Sequence, residues 1–142
     1  MNTGTIPVLG TGGYMLSVND WLYEGESVCI GRKGTINNPF FVEGKFWTVD
    51  TLFYTYDFKG ILPKYCYYLF QTIDWLQYNE ASGVPSLSKS TIERIQIHIP
   101  CMDEQTKAVQ VLDRVEMAIT CGRELLNHYK SIKQYLLSQL FK

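Results

Sequence analysis

The sequence of 142 residues lacks the excess of positive charge that marks a general nucleic-acid binder. Thirteen Lys and Arg residues stand against fourteen Asp and Glu residues, which gives a formal net charge of −1. Residues 1–102 carry seven basic and nine acidic side chains, and residues 103–142 carry six and five. Because neither part is a basic patch, the composition argues against non-specific binding of DNA through bulk charge, and any DNA contact must come from locally placed cations.

Cysteine pairs, histidines and long apolar runs are also scarce. The four cysteines form no close pair and no metal-type spacing, and neither His98 nor His128 has a nucleophile pattern or a carboxylate cluster around it. We therefore expect no catalytic residue, no metal site and no cofactor. The cysteine usage favours a reducing cytosol. Since no run has the length of a transmembrane helix and none resembles a signal peptide, we expect a cytoplasmic protein with no membrane partner.

Helix-breaking residues are nearly absent from the end of the chain. No proline follows Pro100, and Gly122 is the only glycine of the last forty residues. This composition predicts one helix from Asp103 to Lys142, roughly 60 Å long, with Asp103 as its N-cap.

Apolar residues recur along this predicted helix at steps of three and four, as in a heptad repeat, with Gly122 and Lys133 as weak positions. The first member is Ala108, and the predicted dimerisation residues are Leu112, Val115, Ile119, Leu126, Tyr129, Leu136 and Leu140. A stripe on one side of a helix needs another helix to pack against. We predict a coiled coil, and the alternative is a helix folded back on its own domain.

The rest of the chain predicts a small mixed domain, so the expected fold class is α+β with domains at 1–100 and 101–142. Dense β-branched and aromatic residues predict strands at Ser27–Gly31 and Phe46–Tyr56, and alternation predicts a half-buried strand at Ile95–Ile99. Pro63 suits the first turn of a helix that continues from Lys64 to about Gln77. Its predicted core residues are Tyr65, Tyr68, Leu69, Ile73 and Leu76.

Several loops carry polar residues of interest. Gly10-Thr11-Gly12-Gly13 is interpreted as a turn, with a phosphate cradle as the alternative, although no P-loop lysine follows. Arg32-Lys33-Gly34 predicts a second turn. Asp50 lies in an apolar run and needs a partner such as Arg32, for which an internal salt bridge and a role in base recognition both stay open. Residues 79–85 predict a loop, followed by a short helical turn capped by Ser88 or by a Ser90–Glu93 capping box.

The order of these motifs resembles the target-recognition half of a type I restriction–modification specificity subunit. The resembling segments are Ile6–Gly13, Ile30–Gly34, Phe46–Thr51, Leu62–Tyr65, Ser82–Ser88 and Ile97–Pro100, followed by Glu104-Gln105 and the long helix. Each motif is short. The ordered series, which covers nearly the whole chain and ends in Pro-x-x-x-Glu-Gln before a coiled-coil helix, is the specific feature.

The resemblance implies a non-catalytic subunit that recognises one half of a split sequence in double-stranded DNA. Such subunits usually carry two recognition domains, each followed by a long helix, and the two helices pack antiparallel. Partner modification subunits methylate adenine, and a restriction subunit performs ATP-dependent cleavage. The DNA-binding residues that we expect here are loop residues with donor groups or little bulk. They are Gly12, Gly13, Tyr14, Arg32, Lys33, Ser86, Ser88 and Lys89.

Three departures from the family qualify this expectation. The chain has one recognition domain and one helix, it begins at the Gly-rich motif without the usual upstream segment, and Cys101-Met102 replace a Pro-Leu type pair. We expect the half-length chain to form a homodimer through its helix and so to recognise a palindromic split site. The alternatives are a coiled-coil adaptor for protein interactions and a truncated remnant without DNA binding.

Overall fold

The computed structural model describes residues 4–141, so the first three residues of the predicted recognition domain and Lys142 of the predicted helix lie outside the described residues. The elements are β1 Ile6–Gly10, β2 Gly13–Val18, β3 Tyr23–Gly31, β4 Phe40–Thr48, β5 Leu52–Tyr54, α1 Pro63–Thr72, a 3-10 turn Trp75–Tyr78, α2 Lys89–Arg94 and α3 Met102–Leu140. The predicted α+β fold class is confirmed. The chain divides into two compact units, Met1–Thr106 and Lys107–Lys142.

The five strands of the first unit form one sheet in the order β2-β1-β4-β3-β5. β1 pairs in parallel with β4, and all other neighbours are antiparallel. The short turn Thr11-Gly12 joins β1 to β2, so the Gly-rich motif is a hairpin turn, as predicted. β3 lies between β4 and β5, and Cys29 faces Phe40 on one side and Tyr54 on the other.

The predicted strand Ser27–Gly31 is confirmed as the fully buried end of β3. Alternation along a strand sends successive side chains to opposite faces of the sheet. Val28 and Ile30 therefore enter a cluster with Cys66 and Phe70 of α1, whereas Cys29 packs in a second cluster. Burial on both faces explains why this segment is a continuous run of apolar and small residues.

α1 begins at Pro63 as predicted, but it ends at Thr72 and not near Gln77. Ile73 is extended, and the Asp74 side chain then accepts a hydrogen bond from the Leu76 N–H to cap the 3-10 turn. The break turns the buried Trp75 back onto α1, where its indole N–H donates to the Phe70 carbonyl at 2.8 Å.

The break also changes which residues form the core on this side of the sheet. Of the five core residues predicted here, Tyr68 is buried, Tyr65, Leu69 and Ile73 are half-buried, and Leu76 is exposed. The prediction is therefore wrong for Leu76. The buried positions that it missed are Cys66, Phe70 and Trp75.

Two strand predictions need correction. The region Phe46–Tyr56 is divided, because β4 ends at Thr48 and β5 begins at Leu52 after a turn in which the Leu52 N–H donates to the Val49 carbonyl. The segment Ile95–Ile99 forms no strand, and Ile97 and Ile99 are both exposed. A strand needs a neighbouring strand for its backbone groups, and none of the described strands pairs with this segment.

The long C-terminal helix is confirmed as α3, which begins at Met102. Asp103 is therefore not its N-cap. It lies in the first turn with Glu104, where negative side chains stabilise the helix by interacting with the positive end of the helix dipole. The Glu104 carboxylate accepts a hydrogen bond from the Cys101 N–H at 3.2 Å. Within residues 4–141, no helix combines the length and the apolar character that crossing a membrane requires.

Candidate nucleic-acid interface

Two loops of the first unit meet at the end of β3. The Gly34 N–H donates to the Pro85 carbonyl at 2.8 Å, and the Leu87 N–H donates to the Arg32 carbonyl at 2.9 Å. Between these bonds, Lys33 and Ser86 form an antiparallel bridge. We call residues 32–34 and 85–87 the loop junction. It joins the predicted two-cation turn to the Pro-Ser-Leu segment, which is 53 positions later in the sequence, since Lys33 pairs with Ser86.

The loop junction is held on its other side by the turn before β5. The amides of Arg32 and Lys33 both donate to the Thr51 carbonyl, at 2.7 and 3.3 Å. The β1–β2 turn lies beside it, because a side chain at Gly31 would meet the Thr11 methyl group as well as the Thr35 carbonyl oxygen. Only glycine fits at Gly31 for this reason. The Gly-rich motif and the loop junction thus occupy one region of the first unit.

A surface depression of about 470 Å³ opens at the loop junction. Its lining residues are Arg32, Lys33, Ala81, Val84, Ser86 and Leu87. Arg32 and Lys33 are exposed, and neither forms an ion pair with any residue that the structure describes. Two cations without a carboxylate partner beside a hydroxyl group can donate hydrogen bonds to phosphate oxygens or to base edges.

The Arg32 guanidinium does not pair with the Asp50 carboxylate, so the internal salt bridge considered from the sequence is wrong. Its Nη1 donates to the Asp50 backbone carbonyl at 3.4 Å, and its central carbon lies 5.9 Å from the Phe53 ring centroid. Asp50 is exposed in the turn between β4 and β5, so its carboxylate needs no buried partner. The alternative, a role in base recognition, stays a prediction.

The predicted residues Gly12, Gly13 and Tyr14 lie at the β1–β2 turn. Gly12 is exposed, and a side chain there would meet no atom within 4 Å. Gly13 has a φ of 99°, a conformation that favours glycine. Tyr14 is 64% exposed on β2, with its hydroxyl oxygen 3.0 Å from the Ser17 hydroxyl. All three are accessible, and their contact with DNA stays a prediction.

Ser88 and Lys89 are engaged within the domain and are weaker candidates. The Ser88 side chain caps α2 by accepting from the Thr91 N–H, which leaves Ser90 inside the helix, so the predicted Ser90–Glu93 capping box is wrong. Lys89 lies on α2 with its ammonium 3.6 Å from the Glu93 carboxylate. Of the eight predicted residues, the structure brings Arg32, Lys33 and Ser86 together directly.

Sequence reasoning missed Asn79 and Glu80, which organise the loop that leads into the loop junction. The Asn79 carboxamide oxygen accepts from the Ser86 N–H at 2.9 Å, and the Glu80 N–H donates to the Ser86 carbonyl at 3.0 Å. An Asn at the start of a loop rich in Ser, Gly and Pro is a signal for side-chain capping of a turn. That signal was available in the sequence.

The two buried cysteines of this unit are unsuited to nucleophilic chemistry. Desolvation by burial raises the pKa of the Cys29 thiol to about 12, although a hydrogen bond with the Ser27 side chain opposes the shift. Burial raises the pKa of the Cys66 thiol to about 12 as well. Since the thiolate is the reactive form, both thiols are inert near neutral pH. No group of three or more His, Cys, Asp or Glu suited to a metal ion occurs within residues 4–141.

The second unit consists of α3 from Lys107 onward. All seven of its predicted dimerisation residues are exposed in the single chain: Leu112, Val115, Ile119, Leu126, Tyr129, Leu136 and Leu140. An apolar stripe of this length on one helix is typical of a surface that binds another protein. Dimerisation itself stays a prediction.

Comparison with known proteins gives the family of the chain. Residues 1–128 match the family model for the type I restriction modification DNA specificity domain. The EcoprrI specificity subunit of a type I restriction enzyme from Escherichia coli is 22% identical over 111 residues, which cover 78% of this chain and 28% of that protein. A provisionally assigned type I specificity subunit from Haemophilus influenzae is 24% identical over 115 residues, covering 78% of this chain and 30% of that protein.

The chain therefore spans less than a third of the length of these two relatives. The family match, in contrast, extends over the whole first unit and into α3. A model that matches this much of the sequence decides the assignment: the chain belongs to the type I restriction modification DNA specificity domain family.

Proposed function

We propose that this chain is a DNA sequence-recognition subunit of a type I restriction–modification enzyme and that it recognises one half of a split site. The observation that carries the proposal is the coincidence of the family match with an exposed pair of cations at the loop junction. Residues 1–100 would recognise DNA, and residues 101–142 would serve as the dimerisation and spacer helix.

The chemistry of the loop junction fits contact with double-stranded DNA. Arg32 offers a planar set of N–H donors that can contact guanine in two places or a phosphate, and Lys33 offers a point charge that suits a phosphate. Ser86 adds a hydroxyl group that can donate or accept. Because these cations lie together at one loop, the chain can contact phosphates there although its overall net charge is −1.

The proposed partners follow from the family and from α3. The chain would form a homodimer through the apolar stripe of α3 and would assemble with modification and restriction subunits. In this proposal the chain needs no cofactor and catalyses nothing, while its partners methylate adenine and cleave DNA with ATP. A cytoplasmic location follows from action on host and incoming DNA.

The test is a double variant, Arg32→Ala with Lys33→Ala, compared with the wild-type chain in binding to mixed-sequence duplex DNA. We expect weaker binding and a slope of log affinity against log salt that is reduced by about two, since each phosphate contact contributes about 0.9. The matched control is Lys107→Ala with Arg114→Ala, which removes the same charges from exposed positions of α3. Thermal unfolding confirms that each variant is folded.

The outcomes separate the proposal from its rivals. Equal losses in the two double variants would show that only total charge matters. Unchanged binding by a folded Arg32/Lys33 variant would remove the loop junction from the interface. A wild-type chain that binds no duplex at low salt would favour the coiled-coil adaptor or a truncated remnant. The exposed stripe of α3 is the observation that favours the adaptor as the second candidate.

A further inference from the structure

We infer that Asn79 and Glu80 are positioning residues for DNA recognition, because they hold the Pro85–Ser88 segment against Arg32 and Lys33. The inference rests on the proposed function and deepens it. Neither side chain lines the depression at the loop junction. Their effect on DNA binding would pass through the backbone of residues 85–88. A measurement of that backbone without DNA can therefore detect it, in addition to a binding measurement.

Asn79 closes the loop with three side-chain hydrogen bonds. Its Oδ1 accepts from the Ser86 N–H at 2.9 Å and from the Ala81 N–H at 3.1 Å. Its Nδ2 donates to the Ala81 carbonyl at 2.8 Å. One short polar side chain thus ties the loop's beginning to its end, and residues 82–84 are left as an exposed tip.

Glu80 holds the next part of the same segment. Its backbone N–H donates to the Ser86 carbonyl at 3.0 Å. Its Oε1 accepts from the Ser88 hydroxyl at 2.7 Å, from the Ser88 N–H at 3.3 Å and from the Thr91 hydroxyl. Ser88 is also the cap of α2, so this carboxylate links the loop to the start of that helix.

The charged form of Glu80 is the form that makes these contacts. Hydrogen bonds from Thr91 and Ser88 lower the pKa of this carboxyl below its ordinary value, with a smaller contribution from the charge of Arg94. Because the folded-state pKa is the lower one, the contacts stabilise the folded loop at neutral pH. They are lost as the pH falls through the folded-state value.

The contacts continue from the loop into the loop junction. Ser86 is held by Asn79 and Glu80, and it forms the bridge to Lys33. On either side of Ser86, Pro85 accepts from the Gly34 N–H and Leu87 donates to the Arg32 carbonyl. Removing the side chains of residues 79 and 80 leaves the backbone bonds of this segment but removes its side-chain contacts. Residues 85–88, which include part of the wall of the depression, then open more often, while both cations stay on the surface.

The experiment compares two variants. Asn79→Ala with Glu80→Ala removes the acceptors, whereas Glu80→Gln keeps Asn79, with its donor to the Ala81 carbonyl, and keeps an uncharged oxygen at the accepting position of residue 80. Phe46→Leu, a core change in the other hydrophobic cluster, is the control for lowered stability. The first readout is amide hydrogen exchange at Gly34 and Leu87, the two donors of the loop junction. The second is the affinity ratio between two duplexes: one carries the motif mapped beforehand as the methylated sequence in cells that co-express a cognate modification subunit, and the other carries a scrambled sequence.

We expect the alanine pair to lose protection at both amides by at least tenfold and to lose most of its sequence preference. Binding to the scrambled duplex should change by less than twofold, because the cations remain. The Glu80→Gln variant, whose uncharged oxygen accepts more weakly, should lose less protection than the alanine pair and keep more of the sequence preference, and Phe46→Leu should keep the sequence preference.

Three results would overturn the inference. Unchanged exchange at Gly34 and Leu87 in the alanine pair would show that residues 79 and 80 do not hold the loop junction. Lost protection with an intact sequence preference would show that the loop has no part in recognition. A wild-type chain that binds no duplex would refute the proposed function itself, and the exchange data would then record a purely structural clamp.

Discussion

The Gln105 side chain satisfies three backbone groups of the first unit although it is wholly buried. Its oxygen accepts from the Leu62 N–H at 2.8 Å, and its nitrogen donates to the carbonyls of Gly60 and Pro100, both at 2.9 Å. A buried amide with all these partners is stable, whereas a buried polar group without partners is costly. Gln105 thereby joins the loop before α1 to the segment before α3.

We predict that Gln105→Ala lowers the free energy of unfolding by about 3 kcal/mol, at about 1 kcal/mol for each lost hydrogen bond. The matched control is Gln110→Ala, an exposed glutamine of the same helix, which should change stability by less than about 0.5 kcal/mol. Urea unfolding followed by circular dichroism measures both. A Gln105→Ala chain as stable as the control would mean that these bonds contribute nothing net.

Single residues also show how far the sequence alone can be taken. Ser88 was a recognisable cap, but the choices of Ser90 and Asp103 were wrong, because adjacent polar residues differ little in capping preference. The burial of Gln105 could not be predicted, since two of its three partners, Leu62 and Gly60, are 43 and 45 residues earlier in the sequence. The pairing of Arg32 with a carbonyl instead of the Asp50 carboxylate depends on a turn whose position the sequence does not specify.

At the scale of elements, a strand could be predicted correctly where the composition of its own segment was sufficient evidence for it. The run Ser27–Gly31 is a strand because both of its faces are covered, and composition alone indicates such burial. Ile95–Ile99 has an equally good strand pattern but no neighbouring strand among the described elements. Pairing is a property of two segments, so one segment's pattern cannot show that its partner is missing.

The heptad positions of α3 favour an antiparallel over a parallel pair of copies. In a parallel pair in register, Lys133 would face Lys133 and Gly122 would face Gly122, which places two like charges and a cavity in the interface. In an antiparallel pair centred near residue 124, Leu126 of one copy lies opposite Gly122 of the other. Glu116 then lies near Lys130 of the second copy, where opposite charges attract.

We predict that Ile119→Glu with Leu126→Glu converts a dimer to a monomer, since both side chains lie in the apolar stripe and are exposed in the single chain. The control, Met117→Glu with Ser131→Glu, adds the same charge at exposed positions outside the stripe and should stay dimeric. Sedimentation equilibrium measures both masses. A stripe variant with the wild-type mass, or a wild-type chain that is already monomeric, would contradict the proposed dimerisation.

At the scale of the whole molecule, the family was recognisable because its motifs occur in order along the sequence, whereas the site was only partly recognisable. Lys33 and Ser86 are 53 positions apart and meet only in the folded domain. Sequence reasoning selected both for their donor groups, but it could not show that they share one depression. The near-neutral net charge of the chain is consistent with this arrangement, because Arg32 and Lys33 can contact DNA without a larger basic surface around them.

The symmetry of the proposed dimer leads to a prediction about the DNA sequence that it recognises. Two copies related by a two-fold axis present identical recognition domains, so their half-sites must be related by the same axis. We predict that co-expression with a cognate modification subunit, followed by mapping of methylated adenines in host DNA, yields a palindromic motif split by a spacer. The Arg32/Lys33 double variant should reduce methylation at both halves equally.

An asymmetric motif would mean that the chain pairs with a different recognition half, which would contradict the homodimer but not DNA recognition. Absence of methylation, with both proteins folded and present, would refute the proposed function and favour the adaptor or the remnant.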